Sequence, residues 1–211
     1  MLRGMDLQQL ILLIPVLLFS LTIHELSHGY VAFLLGDRTA KNMGRLTLNP
    51  IAHIDWIGFL MLMTVGFGWA KPVPVDMRYF ENPKRGMALT ALAGPVSNII
   101  MAFISAIIFA FVSTKLGENL NDYVKLFLIL MIQYNCVLAM FNFIPIPPLD
   151  GSKILGAFLP NRAYFTLMMY EQYGMIVLII LLYTNILNPI LSTGISNLTT
   201  AIFSIIKLIP M

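Results

Sequence analysis

The chain has 211 residues, of which 58% are hydrophobic and 11% charged, and its mean hydropathy is +0.83. A soluble domain carries about a quarter of its residues as charges to cover its surface, so this composition excludes one and points to a membrane protein. The net charge of +3 is too small and too dispersed for nucleic-acid binding, and the single cysteine, Cys136, forbids an intrachain disulfide and reads as a buried structural thiol.

A membrane-spanning helix needs about 20 apolar residues. Residues 7–35 supply the first, interrupted by Pro15 and by the polar run His24-Glu25-Leu26-Ser27-His28. A cleaved signal peptide is the alternative, because Arg3 precedes the apolar residues 10–23. No small-residue cleavage site follows, however, and later segments are equally apolar. Residues 36–85 alternate polar and apolar positions and carry Gly, Pro and charge, and their apolar piece 57–69 is thin for a span. Prolines 72 and 74 make residues 68–75 extended. The region reads as short strands and loops that partly dip into the membrane, where such backbone must be shielded by protein or line a wet cavity.

Two further spans follow at residues 86–114 and 124–146. Residues 173–187 are shorter, and 186–209 continue them after a break at Asn188-Pro189. One kinked span with a surface helix and two short spans both fit. The expected fold is an all-α polytopic membrane protein. It has three long spans, C-terminal helices, and a small membrane-associated β/loop region between the first two spans. It forms one domain over residues 1–211, with its core at 7–154, the re-entrant or strand region at 36–85 and the C-terminal helices at 160–211.

Orientation follows from Lys and Arg. If the first span ends on the cytoplasmic side and 57–69 does not cross, that side holds Arg38, Lys41, Arg45, Lys71, Arg78, Lys84, Arg85, Lys153 and Arg162. Arg3, Lys115, Lys125 and Lys207 fall on the other. The N-terminus is therefore expected outside.

On a helix, His24 and His28 stand one turn apart on the same face. Two imidazoles at that spacing can hold one Zn²⁺, with Glu25 as general base. Ionisable groups inside a span are costly and usually functional, and Glu25 is the only acidic residue within the long apolar spans. The bland alternative has the three satisfying one another in a helix bundle. A catalytic zinc needs a third protein ligand. The soluble zincins that take it six residues after the second histidine are excluded by Leu34, and no glutamate follows until Glu81. The candidates are His53, Asp55 and Asp150. Asp150 is the most attractive, because it follows a proline-broken turn (Pro145, Pro147, Pro148) where the third span ends. The histidines lie seven to eleven residues before Leu35, roughly 10–17 Å deep, and Asp150 sits at the same end of the bundle.

Residues 24–29 (H-E-L-S-H-G), 93–98 (A-G-P-V-S-N) and 142–151 (N-F-I-P-I-P-P-L-D-G) together resemble the site-2 protease family of intramembrane zinc metalloproteases. Residues 48–55 and 68–75 are similar to its short bacterial and archaeal members, without a PDZ or CBS domain. The resemblance covers most of residues 22–154. It implies a three-helix core, one zinc on His24, His28 and Asp150, Glu25 as the base, and cleavage of transmembrane segments of single-span membrane proteins in the cell membrane.

Asn98 and Asn142 are expected either to bind substrate or to bond helix to helix. Gly94-Pro95 reads as a close-packing kink. His53 and Asp55 either brace the loop or sit at the interface, and Trp56, Trp69 and Tyr79 read as interfacial anchors. The methionines read as packing filler. A metal transporter or a proteolytically dead homologue are the rivals; the first predicts relays across the membrane depth, and the second has no use for Glu25.

Overall fold

The computed structural model describes residues 6–65 and 68–208. Arg3, used above for orientation, and residues 66–67 of the apolar piece 57–69 lie outside them. Eight α-helices are present among the described residues: α1 (Leu7–Leu34), α2 (Thr39–Asn42), α3 (Trp56–Val65), α4 (Pro83–Leu116), α5 (Asp122–Asn142), α6 (Asp150–Gly156), α7 (Asn161–Tyr183) and α8 (Asn188–Ile206). Five of them, α1, α4, α5, α7 and α8, are long and apolar enough to cross a bilayer. The protein is an all-α, multi-pass membrane protein.

Local sequence explains the helix ends. Asp6 caps α1 reciprocally with Gln9. Asn82 accepts from the Arg85 N–H, and Pro83 occupies the first position of α4. Helix α5 stops at Asn142, four residues before the expected end, because Pro145 disfavours helical backbone at Ile144 and cannot donate.

Helices α1, α4 and α5 form the core. Leu13, Val16 and Leu17 of α1 pack against Leu130, Met131 and Tyr134 of α5. On the other side of α5, Ile132 and Cys136 pack with Ala102 and Ala106 of α4 and with Ile202 and Ile206 of α8. Cys136 is fully buried there, as its structural reading requires.

One expectation is corrected. The short strands of the 36–85 region do not form: no strand occurs among the described residues. Residues 68–76 lie outside any helix or strand, and Pro72 and Pro74 remove alternate donors, so no ladder is built. The apolar piece is instead the ten-residue helix α3, about 15 Å long and too short to cross. At the C-terminus, α7 and α8 are two separate helices. Gly194 meets Met140, and Ile202 and Ile206 reach the Ile132 level, so α8 runs antiparallel to α5 and starts at the α5 end that leads to Asp150. Helix α7 begins at that same end, where Lys84 Nζ donates to the Leu159 carbonyl. Its Leu178 packs with Ile144, Leu149 and Leu187 near its other end. Both Leu159, just before α7, and Leu178, towards its other end, thus pack at the Asp150 end of the bundle, while α8 runs beside α5.

Candidate metal centre

His24 and His28 project from the middle of α1 onto α4, and Asp150, first residue of α6, meets them from the turn after α5. Asp150 Oδ2 lies 3.2 Å from His24 Nε2 and 3.3 Å from His28 Nε2, and the two Nε2 atoms are 3.0 Å apart. Glu25 stands beside this triangle, with a carboxylate oxygen within 4.8 Å of both imidazole ligand atoms. All three corners are nearly buried, at 5%, 9% and 8% exposure for His24, His28 and Asp150.

Two glycines make this approach possible. A Cβ at Gly94 would come within 2.5 Å of ring atoms of both histidines, so the imidazoles rest directly on the backbone of α4. The close-packing role expected of Gly94 is therefore found, and it is the metal-facing rings that need the space. A Cβ at Gly151 would lie 2.4 Å from the carbonyls of Phe143 and Ile144, so only glycine lets α6 begin tightly enough against the end of α5 to aim Asp150 inward.

The protonation pattern follows from the partners. His28 Nδ1 lies 2.7 Å from the Thr90 carbonyl, which can only accept, so Nδ1 carries the proton and Nε2 a lone pair. His24 Nδ1 lies 2.6 Å from Asn98 Oδ1 and donates to it in the same way. Asp150 Oδ2 is buried and accepts no hydrogen bond. With Nδ1 of each ring donating, both Nε2 atoms can turn a lone pair toward the site beside Asp150 Oδ2, an arrangement that a cation stabilises. The edges of 3.0–3.3 Å compare with about 3.3–3.4 Å for neighbouring ligands of a tetrahedral zinc bound at about 2.0–2.1 Å. Two imidazoles and a carboxylate also suit zinc chemically. These residues fit a zinc ion.

Glu25 is held differently. Its Oε2 accepts from the Val73 N–H at 2.9 Å, and Val73 belongs to the non-helical segment 68–76, a strap whose Val73 side chain lies close against Gly29 of α1. The strap is pinned at intervals. The Lys71 N–H donates to the His53 carbonyl at 2.9 Å, and Arg45 Nη2 donates to the Lys71 carbonyl at 2.8 Å. The Asp76 N–H donates to Asp37 Oδ2 at 2.7 Å. Asp37 is fully buried, and its other oxygen accepts from the Thr39 N–H at 2.8 Å. Outside the apolar bundle, Arg78 hydrogen-bonds the Asp76 side chain and holds that carboxyl below its ordinary range.

Triangle, Glu25 and strap together line a cavity of 470 Å³, walled further by Phe141, Asn142, Met175 and Leu178. Asn142 therefore sits at the cavity, its Nδ2 donating to the Leu138 carbonyl at 3.0 Å. Asn98 does not: it is fully buried behind His24, bonded at both ends of its amide, and follows the helix-to-helix alternative. The other third-ligand candidates are turned elsewhere. His53 donates from Nε2 to the Thr47 carbonyl at 2.9 Å and braces the loop that pins the strap, and Asp55 Oδ1 accepts from Gly58 N–H at the start of α3. Trp56 and Tyr79 are exposed at 67% and 60%, and Trp69, at 37%, lines the cavity. Sequence reasoning passed over Asn135, Ser20 and Asp37. Asn135 was open to the argument that singled out Glu25, a polar group deep in an apolar span.

Comparison with known proteins points to zinc metalloproteases. YwhC of Bacillus subtilis, named as a candidate zinc metalloprotease, is 41% identical over 201 residues, 90% of this chain and 92% of that protein. The chain belongs to the site-2 protease family of metalloproteases. Two other family proteins are similar at greater distance. Rip2 of Mycolicibacterium smegmatis, also named as a candidate zinc metalloprotease, is 28% identical over 84% of this chain and 69% of its own length. The zinc metalloprotease MJ0392 of Methanocaldococcus jannaschii is 30% identical over 70% of this chain and 34% of its own length. No protein-family model matches the chain, and no solved structure matches it significantly.

Proposed function

We propose that this metalloprotease is an intramembrane endopeptidase that hydrolyses peptide bonds in or near the transmembrane segments of single-span membrane proteins. Zinc would be held by His24, His28 and Asp150. The observation that carries the reading is the convergence of three buried lone-pair atoms and a neighbouring carboxylate on one cavity, inside a bundle whose outward faces are apolar.

Zinc bound there supplies a Lewis acid and makes a water molecule acidic enough to react near neutral pH. The remaining steps belong to side chains. With Oε2 occupied by the Val73 N–H, Glu25 keeps Oε1 to take a proton from the attacking water. The water oxygen forms its bond to the scissile carbonyl carbon. The carbon–nitrogen bond then breaks as Glu25 returns the proton to the leaving nitrogen. Asn142, at the cavity wall, is the group proposed to hydrogen-bond the substrate backbone.

A substrate helix hides its carbonyls in its own hydrogen bonds and must unwind to react. The strap beside Glu25 offers an extended edge for the unwound stretch. That edge is selective: Pro72 and Pro74 present only carbonyls, so on their side the strap accepts hydrogen bonds and cannot donate. The Lys and Arg distribution supports an active site toward the cytoplasm of a cell membrane and an outside N-terminus.

The test is to incubate the purified protein and Glu25→Gln with a panel of single-span substrates and to quantify bound zinc. Cleavage is lost in the variant and zinc retained. A wild type that cleaves no member of a broad panel while moving metal into liposomes overturns the reading in favour of a transporter.

A further inference from the structure

The side chains behind His24 form a polar chain across all three core helices. His24 Nδ1 donates to Asn98 Oδ1 on α4 at 2.6 Å. Asn98 Nδ2 donates to Asn135 Oδ1 on α5 at 2.9 Å. Asn135 Nδ2 donates to Ser20 Oγ on α1 and to the Met131 carbonyl, both at 2.8 Å. Ser20, Asn98 and Asn135 are all 0% exposed.

The direction of every bond is set from the far end. A backbone carbonyl only accepts, so Asn135 must turn its NH₂ toward Met131 and its oxygen toward Asn98. Asn98 must then turn its NH₂ toward Asn135, an orientation in which it also reaches the Ser20 carbonyl at 3.4 Å. Its oxygen is left facing His24. The imidazole therefore keeps its proton on Nδ1 and presents the Nε2 lone pair to Asp150 and His28.

His28 needs no such device, because the Thr90 carbonyl sets its tautomer directly. His24 faces an amide, which can bond in either orientation. A flipped Asn98 would press its NH₂ against Nδ1, favour the Nε2–H tautomer and aim a proton at the metal position.

We infer that Asn135, which touches neither the metal position nor the cavity, is a positioning residue that fixes the ligating tautomer of His24 through Asn98, anchored by Ser20 and the Met131 carbonyl. This rests on the zinc reading above. Ordinary helix-to-helix bonding explains why such amides are buried. It does not require any particular orientation of Asn98, and the relay does.

That polarity is testable on the full chain in detergent, with zinc affinity measured by competition against a chromophoric chelator. Asn135→Leu binds zinc about tenfold more weakly than wild type. The double variant Asn98→Asp/Asn135→Leu recovers to within about threefold, because a carboxylate presents an acceptor to Nδ1 whichever way it turns. Unchanged affinity in Asn135→Leu, or a double variant no tighter than the single one, overturns the inference. A wild type that binds no zinc overturns the metal reading instead. If Asn135→Leu does not purify as a folded protein, the ¹⁵N spectrum of the His24 ring in zinc-free wild type decides: Nδ1–H supports the relay, and Nε2–H overturns it.

Discussion

The two halves of the cavity are built on opposite principles. The metal-facing half is rigid and buried: both imidazoles are hydrogen-bonded from behind, rest on Gly94, and meet a carboxylate held by a helix start that only Gly151 permits. The Glu25 half is a strap pinned at Lys71, Val73 and Asp76 by a few hydrogen bonds from neighbouring segments, with proline at alternate positions. A metal site needs donors fixed within a few tenths of an ångström, whereas a substrate site must let a chain enter and leave. The difference teaches that metal binding and cleavage are separable here: damage to one half should spare the other.

The largest effect tests whether the metal-facing half depends on its cation. Stripping the metal with a chelator leaves Asp150 Oδ2 and two Nε2 lone pairs facing one another. At saturating zinc the lost stabilisation is about 4 kcal/mol for a thousandfold excess over the dissociation constant. Thermal unfolding in detergent should therefore shift down by roughly 10 °C on chelation. An unshifted transition would mean the triangle is stable without metal.

Next comes Gly94→Ala. The added methyl group collides with both imidazoles, and zinc affinity should fall about a hundredfold. Affinity measured by chelator competition that stays within threefold of wild type would contradict the close approach seen at Gly94.

The strap half is broken by Val73→Pro, which removes the N–H that holds Glu25. Loss of one hydrogen bond to a charged group corresponds to about 1.5 kcal/mol or somewhat more, so cleavage should slow about tenfold. Zinc content should stay the same, and Val73→Ala, which keeps the N–H, should cleave almost normally. Replacing residues 68–75 with a flexible Gly/Ser stretch extends the same test: cleavage should be impaired with zinc still bound, and unchanged cleavage would remove the strap from substrate capture. Zinc lost together with cleavage would show that the halves are not independent.

The smallest effect concerns the outer end of the strap. The hydrogen bonds from Arg78 lower the Asp76 carboxyl below its ordinary value of 3.8. A lowered carboxyl stabilises the folded form above that ordinary value and loses its contribution as pH falls through the lowered one. The pair is solvent-exposed, so the dependence should be slight. Asp76→Asn should flatten the acid limb of the cleavage profile marginally, with no change near neutral pH.

How much was legible from sequence differs along the chain in the same way. The three core helices were readable because long apolar runs report burial in lipid directly, and the histidines were readable because helical spacing puts them on one face. The boundary of α5 was misjudged by four residues, because apolar residues continue past the prolines that end the helix. The region 36–85 was misread as strands. A strand needs a partner, and sequence alternation cannot say whether one is present. Asn98 shows the same limit: an amide inside a span marks a polar contact without naming it, and the contact is with a histidine 74 positions earlier.

By itself the amino-acid sequence determined membrane residence, the family, and the residue types able to hold a metal. Those depend on composition and on local spacing, which chain order preserves. The sequence favoured Asp150 as the third ligand, and the tertiary structure brings Asp150, and neither His53 nor Asp55, to the two histidines. It also decided that Gly94 gives the imidazoles their room and that an amide on α5 stands behind the tautomer of His24. Those depend on distances across three helices, which arise only when the helices pack.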